Sequence, residues 1–249
     1  MKRWRVALET AAMVAVIACA KLAVNALDLE FIVINPLYSS VVAGGIFVLG
    51  LLVAGTMADY KEAERMPAEI VAALEAIHGD CESVARFKPE FDLETLRRRL
   101  IHITAALRAD LAHPGTRECL AAVNDLSESF VELERLDVPA NYIVRLRAEQ
   151  GTVRKAVLRI YHIQRIDFLP SAYILIQTVV GLIIASLVFT EFDPLSESIV
   201  VLVFISYFFI YLTRLLRILD TPFRPGTGTQ DDVSRFLLKE FADRMEGAT

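Results

Sequence analysis

Residues 37–57 read LYSSVVAGGIFVLGLLVAGTM, inside a run from Phe31 to Ala58 that contains no charged residue. A helix needs about 20 apolar residues to cross a hydrocarbon layer, so this stretch is expected to span a membrane. Working outward finds three more such stretches. Phe168 to Thr190 is uncharged, and Ser198 to Thr213 is uncharged and reaches span length if Arg214 and Arg217 extend their head groups to the interface. Val6 to Leu27 is apolar but interrupted by Glu9 and Lys21. Its surroundings also fit a cleaved signal, with MKRWR basic, AAMVAVIACA apolar and Ala18-Cys19-Ala20 small. Glu9 sits badly in a signal and apolar residues continue past Ala20, so a retained helix is expected.

Over the 249 residues, 55% are hydrophobic and 23% charged, which fits a chain whose apolar residues are concentrated in spans and whose charges lie elsewhere. That apolar fraction excludes disorder, and a net charge of -5 argues against a nucleic-acid partner. Cys19, Cys81 and Cys119 are far apart and odd in number, so they read as free thiols. Orientation follows from Lys and Arg. Of the 26 basic residues, 16 lie between Asp59 and Asp167, others flank them at the N-terminus and in the tail, and the linkers Asp28 to Pro36 and Glu191 to Glu197 have none. Four spans with both termini cytoplasmic satisfy this pattern, in a plasma (bacterial inner) membrane.

The middle reads as helices. Pro67 suits a first helical turn before AEIVAALEAI, and Gly79 a helix-ending turn. Asp92 can cap LETLRRRLIHITAALRADLAH until His113-Pro114-Gly115 breaks it, and Thr116 can cap RECLAAVNDLSESFVELERL. From Pro139 onward, Ile143, Leu146, Gln150, Val153, Val157, Ile160 and Gln164 alternate in steps of three and four, a heptad seam running towards the third span. No breaker beyond Gly55 separates the second span from MADYKEAER, so that helix should project from the membrane. Alternating strand patterns are absent. A short amphipathic helix, DDVSRFLLKEFADRM, capped by Asp231 or Asp232, follows the linker PFRPGTGTQ. The expected fold is therefore all-α, an integral membrane protein divided at 1–58 (first helix pair), 59–167 (cytoplasmic helical domain), 168–219 (second helix pair) and 220–249 (tail).

Candidate chemistry is sparse. His78, Asp80, Cys81 and Glu82 make one half-site with no second pair, and no nucleophile motif or phosphate loop is present, so neither a metal, a cofactor nor an enzyme is expected. Arg97, Arg98 and Arg99 point in three directions on a helix, which fits a solvated face beside Glu90, Asp92 and Glu94, or a positive lining that concentrates anions at a cytoplasmic vestibule. Lys21 is open to three readings: pore lining, a partner inside the bundle, or snorkelling to the external interface. The second span is rich in small residues, among them Ser40, Gly44 and Gly45, which let backbones approach closely. They serve either packing within one chain or contacts between copies in a symmetric pore, in which Ala43, Phe47 and Leu51 share the face that lines it.

At these residues the chain resembles the bestrophin anion-channel superfamily, and more closely its bestrophin-like bacterial branch. Phe47-Val48-Leu49-Gly50 is similar to the phenylalanine-containing neck stretch, and Asp220-Thr221-Pro222-Phe223 with Gly226 and Asp231-Asp232 to the proline-phenylalanine-glycine and acidic segment. The resemblance implies a homo-oligomer, a pentamer, in a lipid bilayer, with a central pore that passes small inorganic ions, anions above all. The chain departs at Leu51, where the family carries a second aromatic, at Ala43, where it carries a bulky residue, and in lacking a tryptophan pair after the second span; Arg224 and Pro225 interrupt the tail motif, and its acidic run is short, so no calcium site is carried over. Two alternatives share the layout, a subunit of a proton-driven stator, which would need an intramembrane acid such as Glu9 with Gln177 or Thr178 opposite, and a non-transporting scaffold.

Overall fold

The computed structural model describes residues 4–33, 35–113, 115–165, 170–191, 194–223 and 233–247. These residues are all-α apart from two short strands, and the chain divides into two compact units, one mainly of Met1–Tyr60 and Asp167–Asp220, the other mainly of Lys61–Ile166 and Asp232–Thr249.

The first unit holds α1 (Arg5–Ala26), the first part of α2 (Pro36–Ala85), α6 (Pro170–Val188) and α7 (Leu195–Asp220). These four helices are long and apolar enough to cross a membrane, and the protein is a multi-pass membrane protein. In lipid, apolar burial alone does not drive helices together, so interlocking shape has to. On α7 the buried residues Leu202, Ser206, Phe209 and Leu216 recur at helical spacing, and Leu202, Phe209 and Leu216 pack in one cluster with Leu49 of α2 and Ile176 and Ile183 of α6. α1 lies along α7 and α6.

Two strands form where no alternation predicted any. β1 (Ile32–Val33) pairs in parallel with β2 (Thr190–Glu191). The cause is tertiary: the N–H groups of Phe31 and Ile32 both donate to the Phe189 carbonyl at 3.1 Å, and the Phe31 and Phe189 rings lie 5.4 Å apart.

The second unit holds the remainder of α2, α3 (Leu93–Ala112), α4 (Glu118–Arg135), α5 (Ala140–Arg165) and α8 (Phe236–Gly247). α2 does continue beyond its uncharged stretch. Two expectations within it fail: Pro67 lies inside the helix rather than at a start, and Gly79 does not end it. A proline inside a helix removes one hydrogen bond at about 3 kcal/mol. Ala63, Met66, Ile70, Leu74 and Ile77 are all buried, and that continuous stripe offsets the loss.

Asp92 caps α3 as expected, its carboxylate accepting from the Thr95 N–H at 2.9 Å. Thr116 does not cap α4. The buried Asp110 of α3 accepts the first free N–H groups of α4, from Glu118 at 3.2 Å and Cys119 at 2.9 Å, while the Thr116 hydroxyl donates to the same carboxylate. A full charge reaching across from a neighbouring helix satisfies more donors than a local hydroxyl can. Burial alone would raise the Asp110 carboxyl, yet the hydrogen bonds from Thr116, Tyr161 and the α4 backbone hold it below its ordinary value.

The α5 seam buries Ile143, Leu146, Gln150, Val153, Val157 and Ile160. Gln150 donates to the Val123 carbonyl at 2.6 Å, and Gln164 to the Leu111 carbonyl at 3.2 Å, so both polar insertions are satisfied. α8 packs against α3 through Leu238 and Phe241, and Arg244 pairs with Glu75. The proposed caps Asp231 and Asp232, with Arg224, Pro225 and Gly226, lie outside the described residues.

Candidate functional site

The membrane part of α2 has two unlike faces. On one, Val42 and Leu49 are buried in the apolar cluster with α6 and α7. Gly45 lies on that face too: a Cβ there would stand 2.7 Å from the Ile183 Cδ1 and 3.4 Å from the Val179 Cγ1. Gly45 therefore makes room for α6 of its own chain, and the grouping of Gly45 with Ser40 and Gly44 as contacts between copies is corrected to that extent. Gly44 has open space where its Cβ would be, and Ser40 is exposed, its hydroxyl bonded back to the Pro36 carbonyl at 2.8 Å.

On the other face Phe47 is 70% exposed and Leu51 63%, one turn apart, with Ala43 exposed one turn before. Among the described residues nothing in the same chain covers this row. It is held in place from behind by Leu49 and at the helix start by the Asn35 side chain, which accepts from the Tyr38 N–H at 2.9 Å, and by the Tyr38 hydroxyl, 2.9 Å from that of Ser186.

Lys21 is fully buried inside the bundle, resolving its three readings. Its ammonium donates to Glu30 at 2.5 Å and to the Thr190 carbonyl, while Asn25 donates to the other Glu30 oxygen at 3.3 Å. Glu9 pairs with Arg214 at 2.9 Å. In the second unit the arginine triplet is largely engaged. Arg97 donates to His78 at 3.2 Å and lies 3.7 Å from Glu94, Arg99 donates to the Ser129 hydroxyl, and Arg98, on the exposed side, donates to the Thr95 hydroxyl at 2.7 Å. Among the described residues no cluster of His, Cys, Asp and Glu is arranged to hold a metal.

No family model matches this sequence, and no curated protein matches it either. Solved structures do. Three structures of a bacterial bestrophin homolog from Klebsiella pneumoniae are similar at TM-scores of 0.81, 0.78 and 0.74, with 12%, 13% and 14% identity. They cover 96%, 99% and 99% of this chain and 97%, 98% and 97% of theirs. The chain has the bestrophin fold.

Identity this low carries the bestrophin fold and not its side chains, so the roles of residues rest on this chain's own geometry. The sequence reading left the partners of Lys21 open and missed Asp110. Lys21 was visible as a charge in a span, but its partners Glu30 and Thr190 are 9 and 169 residues away. Asp110 was hidden among the charges of an amphipathic helix, and only its absence from the solvated face marks it.

Proposed function

We propose that the protein is a subunit of a homo-oligomeric, bestrophin-like channel, a pentamer, in which α2 lines a central pore that passes anions. One observation carries this reading: Phe47, in the stretch at which the sequence resembles the channel neck, and Leu51 one turn on stand exposed on the same face of α2 while the opposite face is packed into the chain. Copies arranged about an axis would present these side chains as rings. Apolar rings offer a permeating ion no hydrogen-bond partner and conduct or block according to width. Ala43 would widen the pore above them, and Ser40 and Gly44 would let neighbouring copies approach.

The positive-inside rule favours cytoplasmic termini and a plasma-membrane location. A stator needs an acid free to take up and release protons, and the only acid in the first span, Glu9, is paired with Arg214. Reconstitution into planar bilayers tests the channel reading. Anion-selective single-channel currents from a five-fold particle are expected; a monomer without current would overturn it.

A further inference from the structure

The arginine triplet was the sequence's candidate for attracting anions, yet each of its members is hydrogen-bonded within the second unit. A different set of cations is better placed. In the same unit a cleft of about 530 Å³ opens between α2 and α5, lined by Glu62, Arg65, Met66, Glu69, Lys155 and Arg159 among others. We propose that this cleft is a site for small inorganic anions, held loosely by Arg65 and Lys155, a site that does not depend on the channel reading.

The charges decide the sign. Arg159 grips Glu62 through two parallel hydrogen bonds, of 2.9 and 2.8 Å, so the charges of that pair largely cancel. Arg65 has Glu69 at 3.9 Å, with the two side chains 79% and 52% exposed, a solvated pair of little strength. Lys155 has no ion-pair partner among the described residues. Three cations against two carboxylates leave the cleft positive, and the cations held by no close carboxylate are Lys155 and Arg65, one from each wall. Met66, buried, adds apolar surface to the lining, which strengthens the field of the cations in the opening. Five-fold repetition would multiply the excess. A cleft of this size keeps its anions hydrated, so binding is weak and exchange fast.

Chloride-35 nuclear magnetic resonance on the purified, detergent-solubilised oligomer reads such binding directly as excess line width, and bromide should compete it away. Arg65→Gln with Lys155→Gln is expected to remove about half of the excess or more, while Arg98→Gln leaves it unchanged; circular dichroism checks that both variants are folded. An unchanged line width in the double variant, or a loss in Arg98→Gln alone, overturns the site. If the line width behaves as expected but wild-type protein carries no current, the channel reading fails and the anion site stands.

Discussion

The ammonium of Lys21 and the carboxylate of Glu30 meet at 2.5 Å at the end of the membrane unit, with Lys21 wholly buried and the Glu30 side chain 11% exposed. Together with the Thr190 carbonyl they tie the connection after α1 to the strand after α6, beside the short β1–β2 bridge. Removing one partner of a buried pair leaves the other charge uncompensated, at about 3–5 kcal/mol. Lys21→Met should therefore lower thermal stability in detergent sharply, and Lys21→Met with Glu30→Leu should recover much of the loss. Equal instability of the single and double variants would show that the pair is incidental.

The same pair sets an acid limit. Hydrogen bonding from Lys21 holds the Glu30 carboxyl below its ordinary value of 4.5. A depressed carboxylate stabilises the fold fully above its unfolded value, and the contribution is lost as pH falls through the lower, folded one. Stability should thus be flat in this contribution from neutral pH down to about 4.5 and decline below it. In Glu30→Gln that decline should be shallower, as measured by thermal unfolding across pH.

Gly44 and Gly45 are neighbours with opposite surroundings. Gly45→Leu pushes against Ile183 and Val179 and should cost about 1–3 kcal/mol in the isolated subunit. Gly44→Leu meets nothing within the chain and should leave subunit stability unchanged while weakening assembly, seen as a shift to smaller species by native mass spectrometry. Unfolding of the Gly44 variant would place that residue inside the chain's own packing.

Asp110 gathers the Tyr161 and Thr116 hydroxyls and two α4 backbone donors around one carboxylate. Asp110→Asn replaces an acceptor by a donor facing donors, at about 1–3 kcal/mol, and should speed exchange of the Glu118 and Cys119 amides. Burial, and then the charge of Asp110, pushes the Cys119 thiol up to about 12, so it should stay unmodified by thiol reagents at pH 8 in the native protein and react faster in this variant.

Topology can be tested independently of transport. In a Cys19→Ala background, Asp28→Cys should be labelled by impermeant reagents from outside cells and Arg135→Cys only after permeabilisation, because Cys81 and Cys119 are buried and silent. The reverse pattern would invert the assignment.

Four spans, the long α2 and the α5 seam were legible because each depends on a local pattern: an uncharged run, an absence of breakers, a three-and-four alternation. What stayed hidden depends on partners far along the chain. Thr116 looked like a cap since hydroxyls cap locally, and nothing nearby reveals that Asp110 reaches in from the preceding helix. Pro67 and Gly79 looked like punctuation, and burial of Ile70, Leu74 and Ile77 overrode both. Small residues in α2 marked close approach without saying to what, and only the position of Ile183 separates Gly45 from Gly44.

In the proposed channel Phe47 projects into the pore, and the conductance of Phe47→Ala, measured alongside its stability, is the decisive experiment. Truncation would remove a ring of benzyl groups from the axis, so single-channel conductance or open probability should rise, while stability changes by no more than about 0.5 kcal/mol, as for an exposed position. Loss of about 3–5 kcal/mol, as for a core phenylalanine, with ion flux unchanged, would contradict the account and make Phe47 a packing residue.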